Sequence, residues 1–154
     1  MGRIKLLLVI ILAAFLGVST VYAFEHHFKA KLTPKEETKA PESKASGKAE
    51  FEMDDHNTKI KYEVHVKNIV DANAAHIHIG KKGEDGPPVA TLFSGKKAGK
   101  FSGTLAKGKI GADDLMGDYK GKMDDLFKLM KSGGAYVNVH TDANPDGEIR
   151  GQIK

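Results

Sequence analysis

The sequence predicts an all-β domain, an immunoglobulin-like or Greek-key sandwich or barrel with one short helix. Three observations carry this expectation. Short segments alternate apolar and polar side chains, clusters of Gly, Pro, Asn and Asp separate them, and apolar residues recur at helical spacing over residues 122–131 alone.

The chain opens on a different pattern. Arg3 and Lys5 supply positive charge, and Leu6 to Val18 is an apolar run broken only by a glycine. Val21-Tyr22-Ala23 then offers small residues at the offsets a processing enzyme reads, which predicts a signal peptide over residues 1–23. A retained membrane anchor is the alternative, because the stretch to Phe24 has only Ser19 and Thr20 as polar residues and approaches the roughly 20 residues needed to span a bilayer. Residues 24–154 form a single domain, enough chain to bury one core.

Within that domain Phe28 to Leu32 alternates as a half-buried strand, and the polar stretch 33–48, with two prolines, reads as a surface loop or a disordered connection. Ala49 to Met53 and Ile60 to Val66 flank the turn formers Asp54-Asp55-His56-Asn57, a hairpin pattern that places Ile60, Tyr62, Val64 and Val66 on one side. Ala75 to Gly80 is a further strand. Lys81 to Pro88 is a loop dense in glycine and proline, Val89 to Phe93 and Lys100 to Leu105 are short strands, and 112–116 is one helical turn. In the helix, Asp124 and Asp125 sit in the first turn and Gly133-Gly134 end it; the stripe Met123, Leu126, Phe127, Met130 reads as core packing rather than a soft-metal site. Tyr136 to Thr141 and Glu148 to Ile153 flank Asn144-Pro145-Asp146-Gly147, a turn sequence that pairs them as a closing hairpin.

Side-chain parity then yields the sharpest chemical expectation. In the strand at 75–80, His76 and His78 share one face while Ile77 and Ile79 take the other. In the strand at 136–141, Val137 and Val139 oppose Tyr136, Asn138 and His140. If the two strands are neighbours, three imidazoles converge as a candidate site for copper, with zinc as the alternative, leaving a coordination position open. The structural reading of the same residues is that they hydrogen-bond to loop carbonyls and to carboxylates such as Asp142. His56 and His65 read as solvated side chains. Cleavage after Ala23 would create the terminus Phe24-Glu25-His26, whose amine, amides and His26 imidazole can surround Cu(II) in a square plane, or His26 simply precedes the first strand. Asn138 and Arg150 are candidate binding residues. Arg150 is the one arginine after residue 23, and its planar fork suits a structural pair with a carboxylate first and anion attraction second.

Other classes are excluded or weakened. Without Arg3 and Lys5 the chain carries 22 basic and 20 acidic side chains, a net of +2, with lysines scattered among acids, so nucleic acid is not an expected partner. The chain has no Cys, which removes disulfides, thiolate ligands and cysteine nucleophiles. Ser94, Ser102 and Ser132 lack an identifiable base, and the acid pairs fall in a turn or at helix starts, so no catalytic set is assigned. Gly83 and Gly86 are turn residues, because no Gly-Lys-Ser/Thr follows them.

The series GKAEFEM, AHIHIGKKGEDGPPVATLF, GTLAKGKIGADDL and GGAYVNVHTDANPDGEIRGQIK, in that order, resembles the chordin-type (CHRD) domain family over residues 27–154. The resemblance implies an all-β domain of exported proteins, secreted, periplasmic or at the cell surface, and no agreed biochemical activity. Its partner would be a metal ion or another exported protein, with a membrane involved only through an uncleaved signal segment. Lys35, Glu36 and Glu37 depart from the family's usual loop. A fainter similarity is to Cu/Zn superoxide dismutase, which implies His76, His78 and His140 as copper ligands and Arg150 as an anion guide; the further histidines, zinc ligands and disulfide of that enzyme have no counterpart in the sequence. Three functions follow as expectations: a metal-binding module, a structural or adhesive interaction module, and a dismutase-like redox enzyme.

Overall fold

In the computed structural model of the chain, residues 26–54 and 56–154 are described. The expected signal segment 1–23, and Phe24 and Glu25 of the amino-terminal copper motif, lie outside them. Six strands follow in order: β1 His26–Leu32, β2 Ser46–Met53, β3 Lys59–Ile79, β4 Pro88–Gly111, β5 Ala135–Thr141 and β6 Ile149–Gln152. One helix, α1, spans Met123–Ser132. Among the described residues the fold is all-β with a single short α-helix, as the alternating segments predict. No helix among the described residues is long and apolar enough to cross a membrane.

The strand order is β1-β2-β3-β5-β6, with β4 paired to the other edge of β3, and every pairing is antiparallel. The path then nearly closes on itself. Lys29 and Lys154 exchange two backbone hydrogen bonds of 2.8 and 2.9 Å, and Thr33 and Arg150 exchange two more, joining β1 to the β6 segment. Closure satisfies edge groups that a flat sheet leaves open. It also needs close contact at Gly151, where a Cβ would stand 2.2 Å from the Lys31 carbonyl oxygen.

Two strands are longer than their sequence pattern suggests. Residues 60–66 and 75–79 belong to one strand, β3, which ends one residue before Gly80, and residues 89–93 and 100–105 to another, β4. The continuity is hidden because the ladder is repeatedly bulged. Asn68 and Asp71 on β3 and Gly95, Gly99 and Gly103 on β4 all have positive φ, which breaks the two-residue parity and bends both strands. Side chains hold the bend, with Gly99 N–H donating to Asp71 Oδ1 at 2.7 Å and Asn68 N–H to Ser102 Oγ at 2.9 Å. The first half of β3 thus pairs with β2 and the second with β5, which brings the two histidine-bearing segments side by side.

The core lies inside the curved sheet. Phe28, Ala30 and Leu32 of β1, Phe51 and Met53 of β2, Ile60, Val64, Val66 and Ile77 of β3, and Val137 and Val139 of β5 are all buried. Helix α1 adds Met123, Leu126, Phe127 and Met130 to the same cluster, with Phe127 edge-on to Phe28 at 5.8 Å. The methionines therefore serve packing. Gly133 takes the left-handed conformation that ends the helix. Leu115, beyond the turn at Ala112–Asp114, is buried too, so the segment after β4 is sealed against the sheet. The loop expected over 33–48 ends at 45, because Ser46, Gly47 and Lys48 already pair in β2, and Glu37 and Ala45 turn inward from it.

Candidate metal centre

With Ile77, Val137 and Val139 committed to the core, the alternate positions of β3 and β5 point outward. Register fixes their neighbours: His78 is opposite Tyr136, His76 opposite Asn138, and Ala74 opposite His140. Across the next ladder Asn138 faces Arg150 and Tyr136 faces Gln152. This patch of outer face is not left to solvent. The loops at 33–45, 80–88 and 142–147 fold over it and make a second, polar layer.

Within that layer the three imidazoles meet. Ring centroids are 5.2 Å apart for His76 and His140, 5.6 Å for His76 and His78, and 6.0 Å for His78 and His140. One nitrogen of each lies within 4.8 Å of the others. Nitrogens sharing a tetrahedral metal at about 2.0–2.1 Å stand about 3.4 Å apart, so the rings need to close by up to roughly 1.5 Å, within reach of side-chain torsions.

Two rings are already oriented. His78 Nδ1 is 2.9 Å from the Gly86 carbonyl oxygen and His140 Nδ1 is 2.8 Å from that of Pro145. A carbonyl only accepts, so each Nδ1 carries the proton and each Nε2 keeps its lone pair. Those two Nε2 atoms, together with His76 Nδ1, are buried and have no hydrogen-bond partner. For His78 and His140 the arrangement matches what a metal site asks of its ligands: the outer nitrogen tied to backbone, the inner nitrogen free.

Electrostatics keep the trio neutral. Burial, then the neighbouring His140 and His78, push the His76 imidazole down to about 4. Burial likewise lowers His78 and His140, only partly offset by their backbone bonds. At neutral pH no proton has to leave these rings before a cation binds.

The remaining residues of the layer build its walls. Tyr136 stacks on His78 at 5.0 Å and 15°, and the Arg150 guanidinium carbon lies over the tyrosine ring, 3.4 Å from its centroid. Arg150 is 1% exposed and donates to Asp85 Oδ1 at 3.0 Å, to the Lys81 carbonyl at 3.0 Å and to the Glu84 carbonyl at 2.6 Å. It fastens the 80–88 loop to the sheet. This corrects the idea of Arg150 as an anion guide, since a guanidinium this buried presents no surface to an ion in solution.

Asn138 is buried, donating to Glu37 Oε2 at 3.2 Å and to the Asp146 carbonyl at 3.5 Å. Asp142 does not reach the histidines; it accepts from Asn73 and Lys96. His65 instead pairs with Glu63 at 3.1 Å on the outer face of β3, and His56 is exposed in the β2–β3 turn. His26 opens β1 opposite Met53. Sequence reasoning missed Glu37 and Asp85, which lie in loops without periodicity. The Thr33-Pro34 pair ahead of Glu36-Glu37 was the available cue, because it starts the short helical turn that turns Glu37 inward.

The family model described as the CHRD domain matches residues 28–153. A curated relative, chordin of Xenopus laevis, is 31% identical over 117 residues, which is 71% of this chain and 11% of the relative. The chain thus spans about a tenth of that protein's length.

Proposed function

We propose that this chain, which belongs to the CHRD domain family, is an exported binding module that holds a transition metal, copper in preference, through His76, His78 and His140. The supporting observation is the set of three buried imidazole nitrogens left without partners, two of them on rings whose other nitrogen is fixed by a backbone carbonyl. Burying such acceptors unpaired costs about 1–3 kcal/mol each, which a bound cation recovers. Three neutral imidazoles favour copper over the other divalent first-row ions and accept zinc as well, and an ion held by three protein ligands keeps a position open.

A second reading has its own support. The Nδ1 bonds of His78 and His140 already pin the 80–88 and 142–147 loops, so a protein-interaction module in which the histidines serve structure alone is the alternative. A dismutase-like enzyme has less, because the arginine it would use at the surface is buried. Titration with Cu(I), Cu(II) and Zn(II) separates the first two. The native protein should bind with an affinity that the His76→Ala/His78→Ala variant loses, whereas equal affinity in both removes the site.

A further inference from the structure

Beside the histidine trio, and sharing His78 with it, lies a cleft of about 460 Å³, lined by Glu37, Thr38, Lys39, Asp85, Tyr136, Asn138 and the 143–147 turn. Its polar groups divide sharply by type. Asp85 is used by Arg150 and by the Thr38 hydroxyl, and Asp146 is paired with Lys39. What remains unsatisfied is acceptor only: Glu37 Oε1 and Asn138 Oδ1, on residues 8% and 3% exposed, and His78 Nε2. The Tyr136 hydroxyl, which also lines the cleft, accepts from the Gly86 N–H at 3.2 Å and keeps its own proton to donate.

The two oxygens lie against the same point. An atom at the Cβ position of Gly147 would stand 2.5 Å from Asn138 Nδ2, 2.6 Å from Asn138 Oδ1 and 2.7 Å from Glu37 Oε1, which puts the two oxygens within roughly 5 Å of each other, with the Nδ2 protons already directed to Glu37 Oε2 and the Asp146 carbonyl. One tetrahedral ammonium, with N–H groups that span acceptors up to about 4.7 Å apart, reaches both. Gly147, at φ +135°, is the residue that leaves them room.

We propose that this cleft is a binding site for a primary ammonium group, held by Glu37 and Asn138. A cation is selected because Glu37 is a buried carboxylate whose neighbours, Arg150 and Lys39, are each already bonded to an aspartate. An N–H donor is selected because the buried side-chain atoms left without any partner, Glu37 Oε1, Asn138 Oδ1 and His78 Nε2, are all acceptors. A volume near 460 Å³ is roughly fifteen times that of a water molecule and leaves room for an ammonium carried on a chain of several atoms. Free alkylamines and a lysine side chain of another protein share this chemistry.

Protonation competes for the same place. Burial, against the opposing pull of Arg150, raises the Glu37 carboxyl to about 7, with Asp85 adding to the rise and Asn138 opposing it. A proton on Oε1 would donate to Asn138 Oδ1 and satisfy both atoms without a ligand. Arg150, Asp85, Lys39, Asp146, His78 and Tyr136 are the charged or titratable groups around it, and binding should therefore strengthen from pH 5.5 to pH 8.5.

The test uses the whole protein in the presence of a chelator, so that its outcome is independent of the metal reading. Amide resonances of Gly147 and the Asn138 side chain are followed by NMR at pH 8.5 while n-butylammonium, tetramethylammonium or Nα-acetyl-lysine-N-methylamide is added. Saturable shifts are expected with the first and third and not with tetramethylammonium, which has no N–H. Equal affinity for the two assigns the site to any alkylamine, and tighter binding of the lysine compound assigns it to a partner's side chain. Glu37→Gln should weaken n-butylammonium at least tenfold. Absence of saturable shifts in the native protein, equal response to tetramethylammonium, or unchanged binding in a folded Glu37→Gln protein would each overturn the proposal.

Discussion

His140 Nδ1 lies 2.8 Å from the carbonyl oxygen of Pro145, five residues ahead in the same closing hairpin. That bond fixes the tautomer of a ring whose other nitrogen is buried and unpartnered. The same device acts on His78 through Gly86, so two loops that look like simple turns are what aim the imidazoles.

The neutrality of the trio has a pH signature. His76 titrates at about 4 in the fold against 6.5 for an ordinary histidine, so between these values the unfolded chain takes up a proton that the fold refuses. Its contribution to stability is complete above pH 6.5 and is lost as pH falls toward 4. Urea denaturation at pH 7 and pH 4.5 should show the native protein losing about 2 kcal/mol more than His76→Asn, a figure reduced from the full shift for the ring's partial exposure. Equal losses would contradict the assignment.

Glu37 acts with the opposite sign. Its carboxyl is raised from 4.5 to about 7, so its contribution is present below pH 4.5 and disappears as pH rises through 7. In Glu37→Gln the fall in stability between pH 5 and pH 8 should be smaller than in the native protein, as read by thermal denaturation in a metal-free buffer.

Arg150 and Asp85 illustrate how burial decides the worth of an ion pair. The arginine side chain is 1% exposed and the aspartate 67%. Arg150→Lys keeps the charge but not the fork that bonds Asp85, Lys81 and Glu84, and should lose about 2–3 kcal/mol. Asp85→Asn, at the solvent-exposed end of the pair, should lose less than about 1 kcal/mol. Chemical denaturation of the two variants checks the order.

Barrel closure is tested at Gly151. A Cβ there would press on the Lys31 backbone, which cannot swing aside as a flexible side chain does. Gly151→Ala should lose about 3 kcal/mol and expose the Lys29 and Thr33 amides, which bond to Lys154 and Arg150, to faster hydrogen exchange.

Much of this was legible in the sequence wherever parity is uninterrupted. The alternation in AHIHI and YVNVH separates core from outer face correctly, the 122–131 stripe gives the helix to within a residue, and Asn144-Pro145-Asp146-Gly147 turns the chain as its residues suggest, with Gly147 N–H donating to the Asn144 carbonyl at 3.1 Å. The continuity of β3 and β4 was not legible, because positive-φ residues reset parity inside each strand. The polar layer was not legible either. Glu37 meets Asn138 across 101 residues of sequence and Arg150 meets Asp85 across 65, and no local pattern records a contact of that range.

The most direct test of the central claim is the count of imidazole ligands on a bound ion. X-ray absorption of the protein loaded with one equivalent of copper should show three histidine nitrogens at about 2.0 Å, falling in number when His140 is changed to alanine. A first shell with one imidazole or none, or a spectrum that the His140→Ala change leaves untouched, would contradict it.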